Sequence, residues 1–516
     1  MLAKTFGSAV FGVDAHIITV EVSVGKGTRF YLVGLPDSAI KESEQRVEAA
    51  IKQTGYAMPR IKIVVNLAPA DIRKEGSAYD LPIALGILAG SGQITTPDAD
   101  QYIIMGELSL DGSLRPIRGA LPIAIEARKQ GFRGFILPKE NATEAAIVND
   151  LDVIGVETLR EAIDFLEGTR PIAPVWHETR HVFSEESTQF SVDFSDVQGH
   201  ESIKRALEVA AAGAHNVIMV GPPGSGKTML ARRLPTILPP LTLQEALETT
   251  KIHSVAGKLS AGDSLVARRP FCAPHHTISD AALVGGGNIP QPGQISLAHH
   301  GILFLDELPE FKRSVLEVMR QPLEERAVTI ARARGTVTFP ASFMLVASMN
   351  PSPSGEFYDP SSPHADSPAA VQRYLSKISG PLLDRIDIHT EVNPVSFDEM
   401  TAERPTESSA AIRHRVIQAR QRQAHRFAAL PQENEGVYAN AMMSAPMVKQ
   451  VCRIDQTGKN LLKTAMERLG LSSRAYDRIL KVSRTIADLA DSEDIRVEHL
   501  AEAIQYRSLD REGWNG

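Results

Sequence analysis

The stretch GPPGSGKTML, residues 221–230, decides how the rest of the chain is read. It follows the apolar run NVIMV (216–220) and matches G-x-x-x-x-G-K-[ST], a strand turning through glycines into the first turn of a helix. Gly221, Gly224 and Gly226 let backbone N–H groups crowd around phosphate oxygens, with Pro222, Pro223 and Ser225 completing the loop. Lys227 is placed to reach β- and γ-phosphates, and Thr228 to offer a hydroxyl to Mg²⁺. The loop predicts a bound nucleoside triphosphate. What work it drives is a separate question.

Two more apolar runs end in polar residues of the right kind. GILFLDELPE (301–310) delivers Asp306 and Glu307 at a strand end, Asp306 to hold Mg²⁺ and Glu307 to orient or deprotonate the attacking water. FMLVASMNP (343–351) puts Asn350 where ligands of open α/β sheets gather, as a γ-phosphate sensor. A fourth strand of this region precedes no obvious group.

The order of these motifs, followed by GPLLDRIDIH (380–389), resembles the AAA+ ATPases of the magnesium-chelatase-like group. RPFCAPHHTISDAALVGGG (269–287) and PGQISLAHHGILFLDELPEF (292–311) are similar to the ComM/YifB branch of that group. The resemblance covers nearly the whole chain. It implies ATP as the nucleotide, Arg385 as a finger reaching the neighbouring subunit's nucleotide, and a ring of copies, with a hexamer the expected form. It also implies that Arg474, in GLSSRAYDRILKVSRTIADL (470–489), is a second sensor. Residue physics agrees: Ala475, Ile479, Val482, Ile486 and Leu489 step by 4 and 3 along one helical face. With Ser472 as N-cap, Arg474 falls in the first turn, where the helix dipole disfavours a cation unless an anion faces it. Arg385 could instead pair with Asp384 or Asp387.

The expected organisation is an N-terminal unit at 1–170, a linker at 171–190, an ATPase core at 191–395 and a helical lid at 396–516. In the first unit RFYLVGL (29–35) and RIKIVVNL (60–67) read as strands, ESEQRVEAAIKQ (42–53) as a helix, and IIMGELSLDGSLRPI (103–117) as a hairpin turning at Asp111-Gly112. This unit resembles the Lon proteolytic domain, most clearly over 106–141. In KEGSAYD (74–80), however, the nucleophile position of that family falls on Ala78, beside Ser77, and its dyad lysine falls on Leu121, with no lysine until Lys129. The fold expected is therefore α/β: a P-loop AAA+ core with a C-terminal helical lid, preceded by a Lon-like, non-proteolytic α+β domain. Relatives carry two cysteine pairs after the sensor Asn. Here Ser352, Ser354, His364 and Asp366 stand near those places, a poor zinc set and an ordinary loop.

Composition narrows the setting. Hydrophobic content of 43% and a charged fraction of 23% are ordinary globular values. A net charge of −7 offers no global affinity for polyanions, so a nucleic-acid contact must be local. Two cysteines, no signal peptide and no apolar run near the roughly 20 residues of a membrane span predict a cytoplasmic protein without a membrane partner.

Two local patches are basic. AVTIARARGTVTFPA (327–341) reads as a hairpin with Arg332, Arg334 and Gly335 at its tip. AIRHRVIQARQRQAHR (411–426) is a helix carrying Arg413, Arg415, Arg420, Arg422 and Arg426 without an acidic residue. The resemblance implies an ATP-driven motor on single-stranded or branched DNA, gripping phosphates without reading sequence, as in branch migration during natural transformation. A chelatase-type motor remodelling a protein partner is the alternative, although no D-x-S-x-S metal-adhesion motif is present. An ATP-switched binding scaffold is a third reading.

Overall fold

The computed structural model describes residues 1–176, 189–259, 264–287, 290–332, 335–355, 366–395, 406–430 and 436–507. Alternating apolar residues set the first sheet. In β2 (Asp14–Gly25), Ile18, Val20, Val22 and Val24 point inward, and the strand pairs antiparallel with β1 (Leu2–Phe11) from Leu2↔Ser23 to Phe11↔Asp14. Five further strands complete a seven-stranded mixed sheet, β3-β4-β2-β1-β5-β8-β9: β3 (Phe30–Val33), β4 (Lys62–Ala68), β5 (Tyr102–Ile104), β8 (Gly134–Pro138) and β9 (Asp152–Val156). The helix Asp80–Gly90 is apolar on every side because it is buried against β1 and β2. Its Gly86 lies so close to the sheet that a Cβ would stand 2.6 Å from Val22 Cγ2. The expected hairpin is shorter than its sequence suggests. Only β6 (Glu107–Leu108) and β7 (Leu114–Arg115) pair, around Gly112 with φ +86°, while Ile103 and Ile104 belong to the main sheet.

The second sheet is fully parallel, ordered β11-β14-β17-β10-β18. Its members are β10 (Val217–Val220), β11 (Phe271–Cys272), β14 (Ile302–Leu305), β17 (Met344–Met349) and β18 (Ile388–Glu391). All residues of β10, β14 and β17 are buried, which is why they read as continuous apolar runs. β11 and β18 are too short or too polar to stand out in the sequence. Asn216, just before β10, ties three strands: its Nδ2 donates to the Arg385 carbonyl at 3.0 Å, its Oδ1 accepts from Leu345 N at 2.8 Å, and its own N–H donates to Asp387 Oδ2 at 3.1 Å. Two antiparallel ribbons leave this sheet: β12 (Gly285–Gly286) with β13 (Gln291–Pro292), and β15 (Ala327–Arg332) with β16 (Gly335–Pro340).

The C-terminal region is helical, built on Ser409–Ala428, Gln456–Leu469, Ser473–Leu489 and Val497–Gln505. Ser472 caps the third of these by accepting from Ala475 N, and Ala475, Ile479, Val482 and Ile486 are buried along one face, as expected. The basic helix is a correction. Its arginines do not form a free cationic surface, because other elements bring the missing acids. Arg415 meets Glu208 and Glu407, Arg426 meets Asp488, and Arg422 reaches Asp491 at 2.7 Å. Arg420 donates to backbone carbonyls, and Arg413 lies over the Phe190 ring. Among the described residues no helix is long and apolar enough to cross a membrane.

Asp488 is fully buried and also accepts from Arg484 Nε at 3.1 Å and Asn440 Nδ2 at 2.8 Å. Replacing it with Ala strands two guanidiniums and is expected to destabilise the C-terminal region by about 3–5 kcal/mol. Urea denaturation followed on that region measures this, and an unmoved midpoint would show that the arginines need no carboxylate.

Candidate functional site

Three strands of the parallel sheet end side by side, and their last residues meet. The helix Lys227–Arg233 starts at Gly226, whose φ of +88°, like that of +78° at Gly224, is the left-handed geometry that requires glycine. Lys227 Nζ donates to the carbonyls of Gly221 (2.6 Å) and Pro222 (2.8 Å) and to Asn350 Oδ1 at 3.2 Å. Burial lowers the lysine below its ordinary value, although Asp306 and Glu307 oppose this. Thr228 Oγ1 donates to Asp306 Oδ2 at 2.8 Å, so the two residues read as Mg²⁺ ligands already touch. Ser225 Oγ is buried without a hydrogen-bond partner among the described residues. An orphaned hydroxyl in a glycine-rich loop, beside a buried cation, fits a phosphate group.

Glu307 follows Asp306 at φ +54°, an uncommon conformation for a non-glycine residue and one that turns its side chain out of the strand direction. It is more than half exposed and faces a cleft shared with Asn350, Arg373, Tyr374 and Lys377. Sequence reading misses three participants. Ser348 donates to Asp306 Oδ1 and accepts from Glu307 N at 3.4 Å. Its signal is local: Ser348 is two residues before Asn350, which directly follows β17, so extended backbone turns both to one face. His276, in the loop after β11, places Nδ1 3.6 Å from Glu307 Oε2. In the sequence the dipeptide His275-His276 stands out only as a family mark. Glu324 is the third.

Glu324 bears on Arg385, whose guanidinium pairs with it and with the Pro381 carbonyl, leaving Arg385 5% exposed. The expected local partners, Asp384 and Asp387, are not used by its side chain; Asp387 pairs instead with Arg478 at 2.6 Å. Arg474 is exposed, 4.0 Å from Asp384. Neither arginine is near its own phosphate loop. The Arg385 carbonyl is bonded to Asn216 just before β10, whereas Gly221 follows its end, about 16 Å away at roughly 3.3 Å per residue.

The remaining expectations divide. Arg332 is exposed at the end of β15, and Arg334 lies outside the described residues. His364 and residues 177–188 of the linker also lie outside them. Ser352 and Ser354 bond to each other at 3.0 Å, and Asp366 accepts from Ser354 N. In the first unit Ser77 donates to Glu107, while Leu121 is buried with its N–H on Glu144. Glu248, His299 and His300 cluster closely enough to suggest a metal. But His299 Nδ1 accepts from Ser342 N at 3.0 Å, which leaves its proton on Nε2, 3.6 Å from Glu248, so that nitrogen has no lone pair to offer a metal.

Comparison with known proteins agrees with this geometry. Residues 193–400 match the family described as "Magnesium chelatase, subunit ChlI", residues 20–141 "Subunit ChlI of Mg-chelatase", and residues 406–507 "Magnesium chelatase, subunit ChlI C-terminal". Competence protein ComM of Haemophilus influenzae is 44% identical, the alignment covering 99% of this chain and 98% of that one. YifB of Escherichia coli is also 44% identical, over 98% and 96%. Lon protease 2 of Bacillus subtilis is 34% identical over 154 residues, 27% of this chain and 26% of that protein.

Lys227→Ala is expected to abolish ATP binding. Glu307→Gln should bind ATP and lose turnover by about a hundredfold or more, since one residue meets ground-state phosphate and the other the water. Fluorescent-nucleotide binding and phosphate release separate the two, and normal turnover in Glu307→Gln would remove Glu307 from its role.

Proposed function

This chain belongs to the ComM/YifB family of magnesium-chelatase-like AAA+ proteins, a family that implies ATP hydrolysis, and from that premise we propose an ATP-driven ring motor that moves branched DNA. The observation that carries the ATPase part is the meeting of Lys227, Asn350, Thr228, Asp306 and Ser348 at neighbouring strand ends. In this reading the backbone of 221–226 and Lys227 hold the phosphates of the substrate ATP. Thr228 and Asp306 would hold Mg²⁺, which when bound neutralises charge on the transferred phosphoryl group. Ser348 fixes the Asp306 carboxylate, Asn350 senses the γ-phosphate, and Glu307 takes the proton of the attacking water.

Arg385 and Arg474 complete a neighbour's site. Both sit at the strand-start edge of their own sheet, out of reach of their own phosphate loop, which favours the assignment in trans and an oligomer, with six subunits the expected number. Arg385 would exchange Glu324 for phosphate as subunits meet. The N-terminal unit, 1–170, is held to be Lon-like and non-proteolytic: a carboxylate sits on Ser77, and a buried Leu121 stands at the dyad-lysine position. The cytoplasm is the proposed compartment.

DNA enters through the ribbon β15–β16. Arg332 is exposed there, beside the ribbon β12–β13, where a Cβ on Gly286 would come 3.3 Å from Arg332 Nη2. The helix 411–426 no longer competes as a DNA surface, because its arginines are used internally. A competence protein among the relatives suits a DNA substrate better than a chelatase partner.

Arg332→Ala with Arg334→Ala should leave basal ATPase unchanged and weaken DNA binding for all sequences alike. The salt slope should fall by about 1 for each phosphate that is no longer neutralised. Junction-moving activity should disappear with it; full activity in the double variant would remove the ribbon from the DNA path. Arg385→Ala should bind ATP without hydrolysing it and regain partial activity when mixed with Lys227→Ala subunits. Failure of any mixture to recover turnover would rule out a shared site.

A further inference from the structure

A second polar site lies on the opposite edge of the parallel sheet from the phosphate loop, where β10, β14 and β17 begin. It is a cavity of about 60 Å³, walled by both the ATPase core and the C-terminal helices. That is space for roughly four waters, and so for one tetrahedral oxyanion. Four guanidiniums line it: Arg269 and Arg326 from the core, Arg420 and Arg478 from the C-terminal helices.

The charges around it do not balance. Arg269 pairs with Glu245 at 3.2 Å and Arg478 with Asp387 at 2.6 Å. Arg326 and Arg420 form no ion pair among the described residues. Among the described residues the Arg326 side chain makes a single hydrogen bond, to Ser342 Oγ at 3.4 Å. Arg420 has only carbonyls, Ala211 at 3.1 Å and Tyr438 at 3.3 Å, and lies over the Tyr438 ring. Burial pushes both arginines below their ordinary range, Arg420 to about 10, with Arg269 adding repulsion there. Ser342 Oγ and the Tyr438 hydroxyl, 3.0 Å apart, add neutral donors to the same wall. Two partly buried cations without carboxylates, converging with hydroxyls on an ion-sized space, form a receptor for a compact anion.

We propose that this cavity binds one phosphate-class oxyanion, held jointly by Arg326 of the core and Arg420 of the C-terminal helices. An occupant shared in this way ties the orientation of the C-terminal helices to the core. The anion's source is either free inorganic phosphate or the terminal phosphate of a nucleic-acid strand.

The full-length chain carrying Lys227→Ala, which removes the lysine of the phosphate loop, is titrated at constant ionic strength with inorganic phosphate, and separately with a 5′-phosphorylated oligothymidylate and its unphosphorylated twin. Calorimetry and thermal unfolding are read in parallel. The expected result is one saturable site whose affinity falls at least about tenfold in Arg326→Met and in Arg420→Met, with part retained in Arg326→Lys. Without anion, Arg326→Met should melt no lower than its parent, because it removes a partly buried cation that has no carboxylate partner among the described residues; this also shows that the variant folds. Arg326-dependent binding of inorganic phosphate assigns the free ion. The same dependence for the phosphorylated strand alone assigns a nucleic-acid end. Absence of saturable binding in every arm, or binding indifferent to Arg326 and Arg420, overturns the proposal.

Discussion

The heights at which three strands begin depend on Asn216. Its side chain and backbone reach β17 through Leu345 and the lead into β18 through Arg385 and Asp387. With the rise per residue fixed, a clamp near one end sets the register at the other, where Val220 pairs with Met349 and the phosphate loop meets Asn350. β14 joins the same frame by pairing with β17. A slip of one residue in any of these pairings would move a polar end group by about 3.3 Å and turn alternate side chains to the other face. The contact of Lys227 with Asn350 and that of Thr228 with Asp306 are thus consequences of a hydrogen-bond clamp at the far edge of the sheet.

That edge carries a chemistry of its own. Arg385, Arg474 and the cavity around Arg326 and Arg420 all lie there, while Asp306 and Glu307 lie at the other. A chain of net charge −7 can therefore present concentrated positive charge at one end of a sheet. Other arginines are internal fasteners. Asp488 alone gathers Arg426 and Arg484, and Asp387 holds Arg478.

The buried strands and their end groups are legible in the sequence because glycine-rich loops and continuous apolar runs are local signals. The loop 221–228, Asp306, Glu307 and Asn350 need no partner to be noticed. The helix 411–426 misleads for the opposite reason: a run of arginines looks free when its acids come from Glu208, Glu407, Asp488 and Asp491, up to about two hundred positions distant. The strand β11 is invisible because two residues carry no period. His276 is visible as a motif without a role, which only the fold supplies by setting β11 beside β14.

The turn between β1 and β2 leans on the buried face of the ribbon β15–β16. A Cβ on Gly12 would lie 3.1 Å from Val337 Cγ1, and Val13 packs into the cluster that holds Val337 and Phe339. On its other side the turn is pinned to the ATPase core, Asp14 lying 3.7 Å from Lys251. Overlap of atoms is resisted steeply, whereas the attraction between a few of them is only about 0.1–0.2 kcal/mol per pair. The joint is therefore a bearing, stiff in compression and weak in tension. A ribbon moving toward the N-terminal unit pushes the whole seven-stranded sheet, and one moving away leaves it behind.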